Sequence, residues 1–316
     1  MKNKIAARTD RRRIALSRHF DRNNFELLLL ALPGVILLLV FNYFPMAGIV
    51  IAFKDFKPIQ GILGSEWVGM KNFEFFFTSA DAVRTIRNTL AYGVAFLIVD
   101  LIAGVTLALM LYYLRSKIAL KVYNTIVIIP KFMSIVLVAF MVYAFLNPNF
   151  GLFNQILGFF GVEPVQWYME PGYWPFILTF VHIWKGVGMG SVIYYSSLMG
   201  IDEGMIEAAR VDGANTRQQI FHIVIPYLQP VMIISTILGI GHLFSGDFGL
   251  FYQVPQNVGL LYPTTDIINT YTYRALQDGS LANSTAVGLF QSVTGLILVL
   301  ATNAIVRKIS PDDSLF

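Results

Sequence analysis

The 316-residue chain has no cysteine, which excludes disulfides, thiolate metal sites and cysteine nucleophiles and leaves redox chemistry without its usual residue. Charge is scarce as well. Only 13% of residues are Asp, Glu, Lys or Arg, against roughly one quarter in an average soluble domain. No G-x-x-x-x-G-K-[ST] run occurs, so the chain does not cradle nucleotide phosphates in the usual way. There is no H-E-x-x-H pair and no G-x-S-x-G elbow, and the histidines at 19, 182, 222 and 242 are scattered. Without a nucleophile, base and orienting group in one pattern, the chain is not expected to be an enzyme or to bind a metal or cofactor itself.

What is present is apolar. Hydrophobic residues make up 56% of the chain, and several runs reach the roughly 20 residues that a helix needs to cross a bilayer with its backbone satisfied internally. Helix 1 is expected over 27–53, too long for the apolar part of a signal peptide, with Pro33 and Pro45 as bend points. Residues 54–87 carry Trp67, Phe73, Phe75, Phe76 and Phe77 among polar residues and read as an external loop with an interfacial helix. Helix 2 follows over about 88–114 and helix 3 over 122–146. A short external amphipathic helix is expected at 150–160, then helix 4 at 173–200, helix 5 within the uncharged run 218–246, and helix 6 at 284–306.

Six spans place both termini on one side. The segments assigned inside hold fifteen Lys and Arg, eight of them in the N-terminal arm, against Lys54, Lys57, Lys71, Arg84, Arg87 and Arg274 outside. The positive-inside bias therefore predicts cytoplasmic termini. It also accounts for the net charge of +4 without a nucleic-acid partner. The expected organisation is a basic arm over 1–25, helix 1 with its external loop over 26–87, a core over 88–310 with a cytoplasmic loop at about 201–221, and a tail over 311–316.

The 201–221 loop contains Glu207-Ala208-Ala209, then Gly213 and, further on, Ile223 and Pro226. Small alanines allow another backbone close, and Gly213 can take the positive φ of a tight turn between two helices. The pattern E-A-A, three residues, G, nine residues, I, one residue, P resembles the coupling motif of ABC-importer membrane subunits. Asn88-Thr89-Leu90, Ile183-Trp184-Lys185, Gly246-Asp247-Phe248 and Asp266-Ile267-Ile268-Asn269-Thr270-Tyr271 extend that resemblance over about 70–310 to the carbohydrate branch, and within it to permeases for alginate- or polygalacturonan-type saccharides.

The resemblance implies an all-α membrane protein with the type I ABC-importer architecture. It also implies a second, related membrane subunit, two ATPase subunits holding ATP and Mg, and an extracytoplasmic binding protein that delivers an oligosaccharide. Glu207, Ala208, Ala209, Asp212 and Gly213 would form the docking helix, and Pro226 would set the entry to helix 5.

Three ionisable residues fall inside the expected spans: Asp100, Lys131 and Lys185. Such residues are costly in lipid, so they face a pathway or pair within the bundle. Either Asp100 pairs with one lysine, or the lysines line the route or snorkel to an interface. Two cations facing one anion would suit an acidic sugar. Trp184, Tyr194 and Tyr195 are candidate sugar-packing aromatics. Gly186-Val187-Gly188-Met189-Gly190 predicts either an unwound stretch beside the cavity or tight helix packing. Asp247 is either at the outer mouth or a turn cap. The competing reading is a stand-alone secondary transporter or channel, which predicts broken helices in both halves of the chain.

Overall fold

The computed structural model describes residues 22–309. The 311–316 tail and nearly all of the basic arm lie outside them. Among the described residues five helices are long and apolar enough to cross a bilayer, or six spans where a bent pair is counted as one.

Helix 1 starts as an α-helix at Arg22–Leu38, passes through a π turn at Leu39–Tyr43 and continues as a 3-10 helix at Phe44–Phe53. Pro33 lies inside the first part, and Pro45 near the start of the last. A proline removes one backbone donor and crowds the preceding turn, which fits a helix that changes its hydrogen-bond step. The far end of helix 1 packs on helix 6, where Ala52 is fully buried with Phe73 and Ala286. A two-stranded ribbon follows, β1 Lys54–Asp55 against β2 Glu66–Trp67. Lys54 Nζ donates to the carbonyls of Ile62 and Ser65 at 2.6 and 3.2 Å. The expected amphipathic helix is found at Lys71–Thr78.

Helix 2 spans Ala80–Tyr112, beginning eight residues before the expected 88. The boundary set at 88 thus falls inside a helix. Ser79 caps it by accepting from the Ala82 N–H at 3.2 Å, and Asp81 in the first turn pairs with Arg84 at 2.8 Å. The charged residues that read as loop lie in the helix's first two turns or so.

Helix 3 is the larger correction. Instead of one run over 122–146, it is Lys117–Phe132 and Ile135–Leu146, bent by 97°. Met133 and Ser134 both have extended ψ angles, 137° each, which ends the helical ladder and frees carbonyls of the last turn. The short helix Leu152–Phe159 comes next, then helix 4 at Trp174–Leu198. Helix 6 is Leu281–Ile309.

Helix 4 is the centre of the bundle. At one end Trp174, Leu178 and Val181 pack with Tyr92, Phe251, Leu261 and Ile267. At the other Tyr194 and Leu198 pack with Val105, Ala108, Val224 and Leu228. Lipid tails are as apolar as these side chains, so close packing rather than escape from water holds such helices together. Gly188 is the tightest point: a Cβ there would sit inside the Val127 carbonyl of helix 3. Helix 4 runs through Gly186–Gly190 without unwinding, and within this run the close packing falls on Gly188 alone.

The Trp174 end is fastened by polar bonds. Asp266, with no exposed side-chain surface, accepts from Arg84 Nη2 of helix 2 at 2.8 Å and from Arg274 Nη2 at 2.6 Å. Thr270 Oγ1 donates to the same carboxylate at 2.8 Å, and Asn88 Nδ2 to the Asp266 carbonyl at 2.9 Å. Tyr92 Oη donates to the Thr264 carbonyl at 2.8 Å.

Candidate functional site

Two regions carry the residues singled out by the sequence. The first is a cavity of about 510 Å³ between helices 2, 4 and 5 and the end of the first half of helix 3. Lys131, Tyr194 and Asp247 line it, together with Asp100, His182 and His242. Trp184 and Lys185 do not. Trp184 packs against the apolar cluster around Trp174. Tyr194 is largely buried, its ring packed over Gly104 so closely that a Cβ added there would come within 3.0 Å of it, so it is as much wall as surface.

Asp100 does not pair with a lysine. Its two carboxylate oxygens each lie 3.0 Å from Nε2 of His182, across helices 2 and 4. Phe96, one turn before Asp100, stacks on the imidazole with ring centroids 3.8 Å apart and planes 7° apart. His182 carries no local sequence signal as the partner of Asp100, which is 82 residues away. The shared signal is only that both are polar residues inside apolar runs.

Lys185 has a different task. Its ammonium donates to the carbonyls of Lys131 and Met133 at 3.1 and 2.9 Å, two acceptors released where helix 3 breaks. Replacing it by methionine keeps the stem and leaves those carbonyls without this donor. Lys185→Met should cost about 1–3 kcal/mol, read as a lower melting temperature of the detergent-purified protein; an unchanged melting curve would show that the cap is dispensable.

Asp247 is a helix cap that also borders the cavity. Its Oδ1 accepts from the Leu250 N–H at 3.0 Å, capping the short helix Phe248–Gln253, while the residue also lines the cavity.

The second region is the 201–221 loop. It forms a helix at Glu203–Val211, capped by Asp202 accepting from the Gly204 N–H at 2.9 Å. Gly213 follows with φ +84°, a conformation that L side chains resist. Asn215 and Gln218 then exchange bonds in a capping box at 2.9 and 2.8 Å. The chain continues through Thr216–Gln219 and a π turn at Ile220–Val224 into Ile225–Gly241, together forming helix 5. Pro226 is the second residue after that π turn, so it sits within a continuous span rather than at its entry.

Ile206 anchors the loop helix in the cluster of Tyr194, Leu198, Val224 and Leu228. The opposite side is open. Glu207, Ala208 and Asp212 are exposed and Ala209 half-buried, and Val211 is 88% exposed. A cleft of about 410 Å³ opens beside the turn, lined by Ala209, Asp212, Gly213, Gln218 and His222. Tyr113, just past helix 2, faces this region: burial pushes its phenol up, and Arg210 of the loop helix partly opposes that rise.

Among the described residues no group of three or more His, Cys, Asp or Glu is placed to hold a metal. Only helix 3 is broken among the described residues, whereas a stand-alone transporter would repeat the break in the other half.

Residues 100–312 match a family described as binding-protein-dependent transport system inner membrane component. The polygalacturonan/rhamnogalacturonan transport system permease protein YteP of Bacillus subtilis (strain 168) is 36% identical over 288 residues, covering 89% of this chain and 88% of that protein. A chain in the crystal structure of a bacterial ABC transporter involved in the import of the acidic polysaccharide alginate has a TM-score of 0.83 and 33% identity, covering 92% of this chain and 97% of its own. A chain of a bacterial alginate ABC transporter in complex with alginate pentasaccharide-bound periplasmic protein gives 0.82 at 33% identity, covering 92% and 96%.

Proposed function

We propose, for a chain that belongs to the binding-protein-dependent transport system inner membrane component family, that it forms half of the route by which a bacterial inner-membrane importer takes up an acidic oligosaccharide. The observation that carries the reading is the open helix Glu203–Val211 with its Gly213 turn. One face is held by the bundle, and the other offers small and charged residues to a partner.

In this reading Glu207, Ala208, Ala209, Asp212 and Gly213 dock on an ATPase subunit, which holds ATP and Mg. A second, related membrane chain completes the cavity, and a binding protein delivers the sugar at the Asp266 end. Both termini are then cytoplasmic. ATP-driven closure of two ATPase subunits would push on the loop and switch access to the cavity. The acidic substrate is supported by the named likeness to polygalacturonan/rhamnogalacturonan and alginate systems and by Lys131 in the cavity wall. Lys185, spent on backbone carbonyls, adds nothing to that argument.

The test is ATP hydrolysis in liposomes by this chain with its candidate ATPase, membrane partner and binding protein. A uronate oligosaccharide should stimulate it more than a neutral one. Gly213→Val places a β-branched residue at φ +84°, strained by about 1–2 kcal/mol, and should remove at least about tenfold of the stimulation by misplacing the docking face. Stimulation by neutral sugars alone would reject the acidic substrate. No assembly with any partner would return the stand-alone transporter.

A further inference from the structure

The Asp100–His182 pair is left unused by this account, although it occupies the cavity wall at the contact of helices 2 and 4. A carboxylate in a route for an anionic chain is a liability: like charges in a partly dehydrated space repel far more than in water. The geometry shows how the liability is contained. With its proton on Nε2, the imidazole donates between the two oxygens, each 3.0 Å away. Phe96 holds the imidazole flat from one side, so the donor cannot swing away without losing the stack.

The carboxylate is engaged on one edge only. Its side chain keeps 49% of its surface exposed in this chain, and a carboxylate has about four lone-pair sites, of which a single shared N–H uses part. Free acceptor sites beside a flat ring suit the hydroxyl groups of a sugar, which are donors arranged on a ring with apolar faces. The other charged or titratable residues lining the cavity are Tyr92, Lys131, Tyr194, His242 and Asp247. None of them has a hydrogen bond to Asp100.

We infer that Asp100 and His182 form a saccharide subsite of the translocation cavity, in which Asp100 accepts sugar hydroxyls and His182 offsets its charge so that a uronate chain can pass. This rests on the acidic-saccharide reading above. It makes His182 a specificity-determining residue: it decides whether the same hydroxyl acceptor tolerates or repels a carboxylate on the sugar.

The full assembly in nanodiscs, with ATPase, membrane partner and binding protein, tests this. The probes are a galacturonate trisaccharide and its methyl ester, which has the same ring hydroxyls without the charges. His182→Phe keeps a flat ring on Phe96 and removes the N–H donor. It should raise the half-stimulating concentration of the free acid on the order of tenfold, and that of the ester by less than about twofold. Adding Asp100→Asn should bring the free acid back to within about threefold of wild type, since the unopposed charge is then gone. Size-exclusion of each complex reports assembly separately from stimulation. Equal loss for acid and ester in His182→Phe, or a double variant as impaired as the single one, would overturn the inference. Wild-type stimulation by the ester but not the acid would instead reject the acidic substrate, and it is seen before any variant is made.

Discussion

Asp266→Ala should lower the stability of the purified chain by about 3–5 kcal/mol, the usual consequence of breaking a buried ion pair from one side. The aspartate has no exposed side-chain surface, while Arg84 and Arg274 keep 28% and 19% of theirs. Its removal leaves two guanidinium groups facing each other in a site that also loses the Thr270 bond. Arg84→Ala should cost less, because Asp266 would retain Arg274 and Thr270. Thermal unfolding in detergent distinguishes them: a fall of about 10 °C is expected for Asp266→Ala, and roughly half of that or less for Arg84→Ala. Equal, small shifts in both would mean that the cluster is solvated and adds little.

Gly188→Ala should have the second large effect, and its neighbours supply the control. An alanine methyl at 188 would overlap the Val127 carbonyl carbon and oxygen, which are backbone atoms and cannot rotate away. Helices 3 and 4 would have to separate, at a cost of about 3 kcal/mol or more. At Gly186 and Gly190 an added Cβ meets nothing within 4 Å, and alanine there should stabilise the helix by up to about 1 kcal/mol. Yield and melting temperature of the three single variants are the measurement. Equivalent behaviour of Gly188→Ala and Gly186→Ala would refute the close approach of the two helices.

These variants also mark how much could be read from the chain itself. The long apolar runs of helices 1, 2, 4, 5 and 6 were legible because length and hydropathy alone decide whether a helix suits a bilayer. The loop at 201–221 was legible because Gly213 and the alanines sit at a fixed spacing in one contiguous stretch. Features built from distant residues were not. Arg84 and Arg87 resemble loop residues until Asp266 and the Pro263 carbonyl, more than 170 positions later, are seen to receive them. Asp100 suggested a lysine partner because lysine is the common counter-charge, whereas the fold brings His182 to it.

The break in helix 3 left no mark that hydropathy could register. Residues 122–146 are apolar on both sides of Met133-Ser134, and Pro130 precedes the break by only three residues. What stabilises the break is Lys185 on another helix. The same bonds remove Lys185 from the cavity, and with it half of the cationic pair expected for an acidic sugar. Pro226 shows a further limit: a proline can follow a π turn within a helix as well as begin one.

Helix 2 joins the two regions mechanically. Its 33 residues make a single piece about 50 Å long, with Arg84 clamped near one end and Tyr112 packed among the loop-side residues at the other. Treated as a stiff lever, a tilt of about 5° about one end displaces the other by about 4 Å over that length. A displacement of that size at the loop end therefore reaches the cavity wall as a change of tilt, with no bond inside the lever having to change.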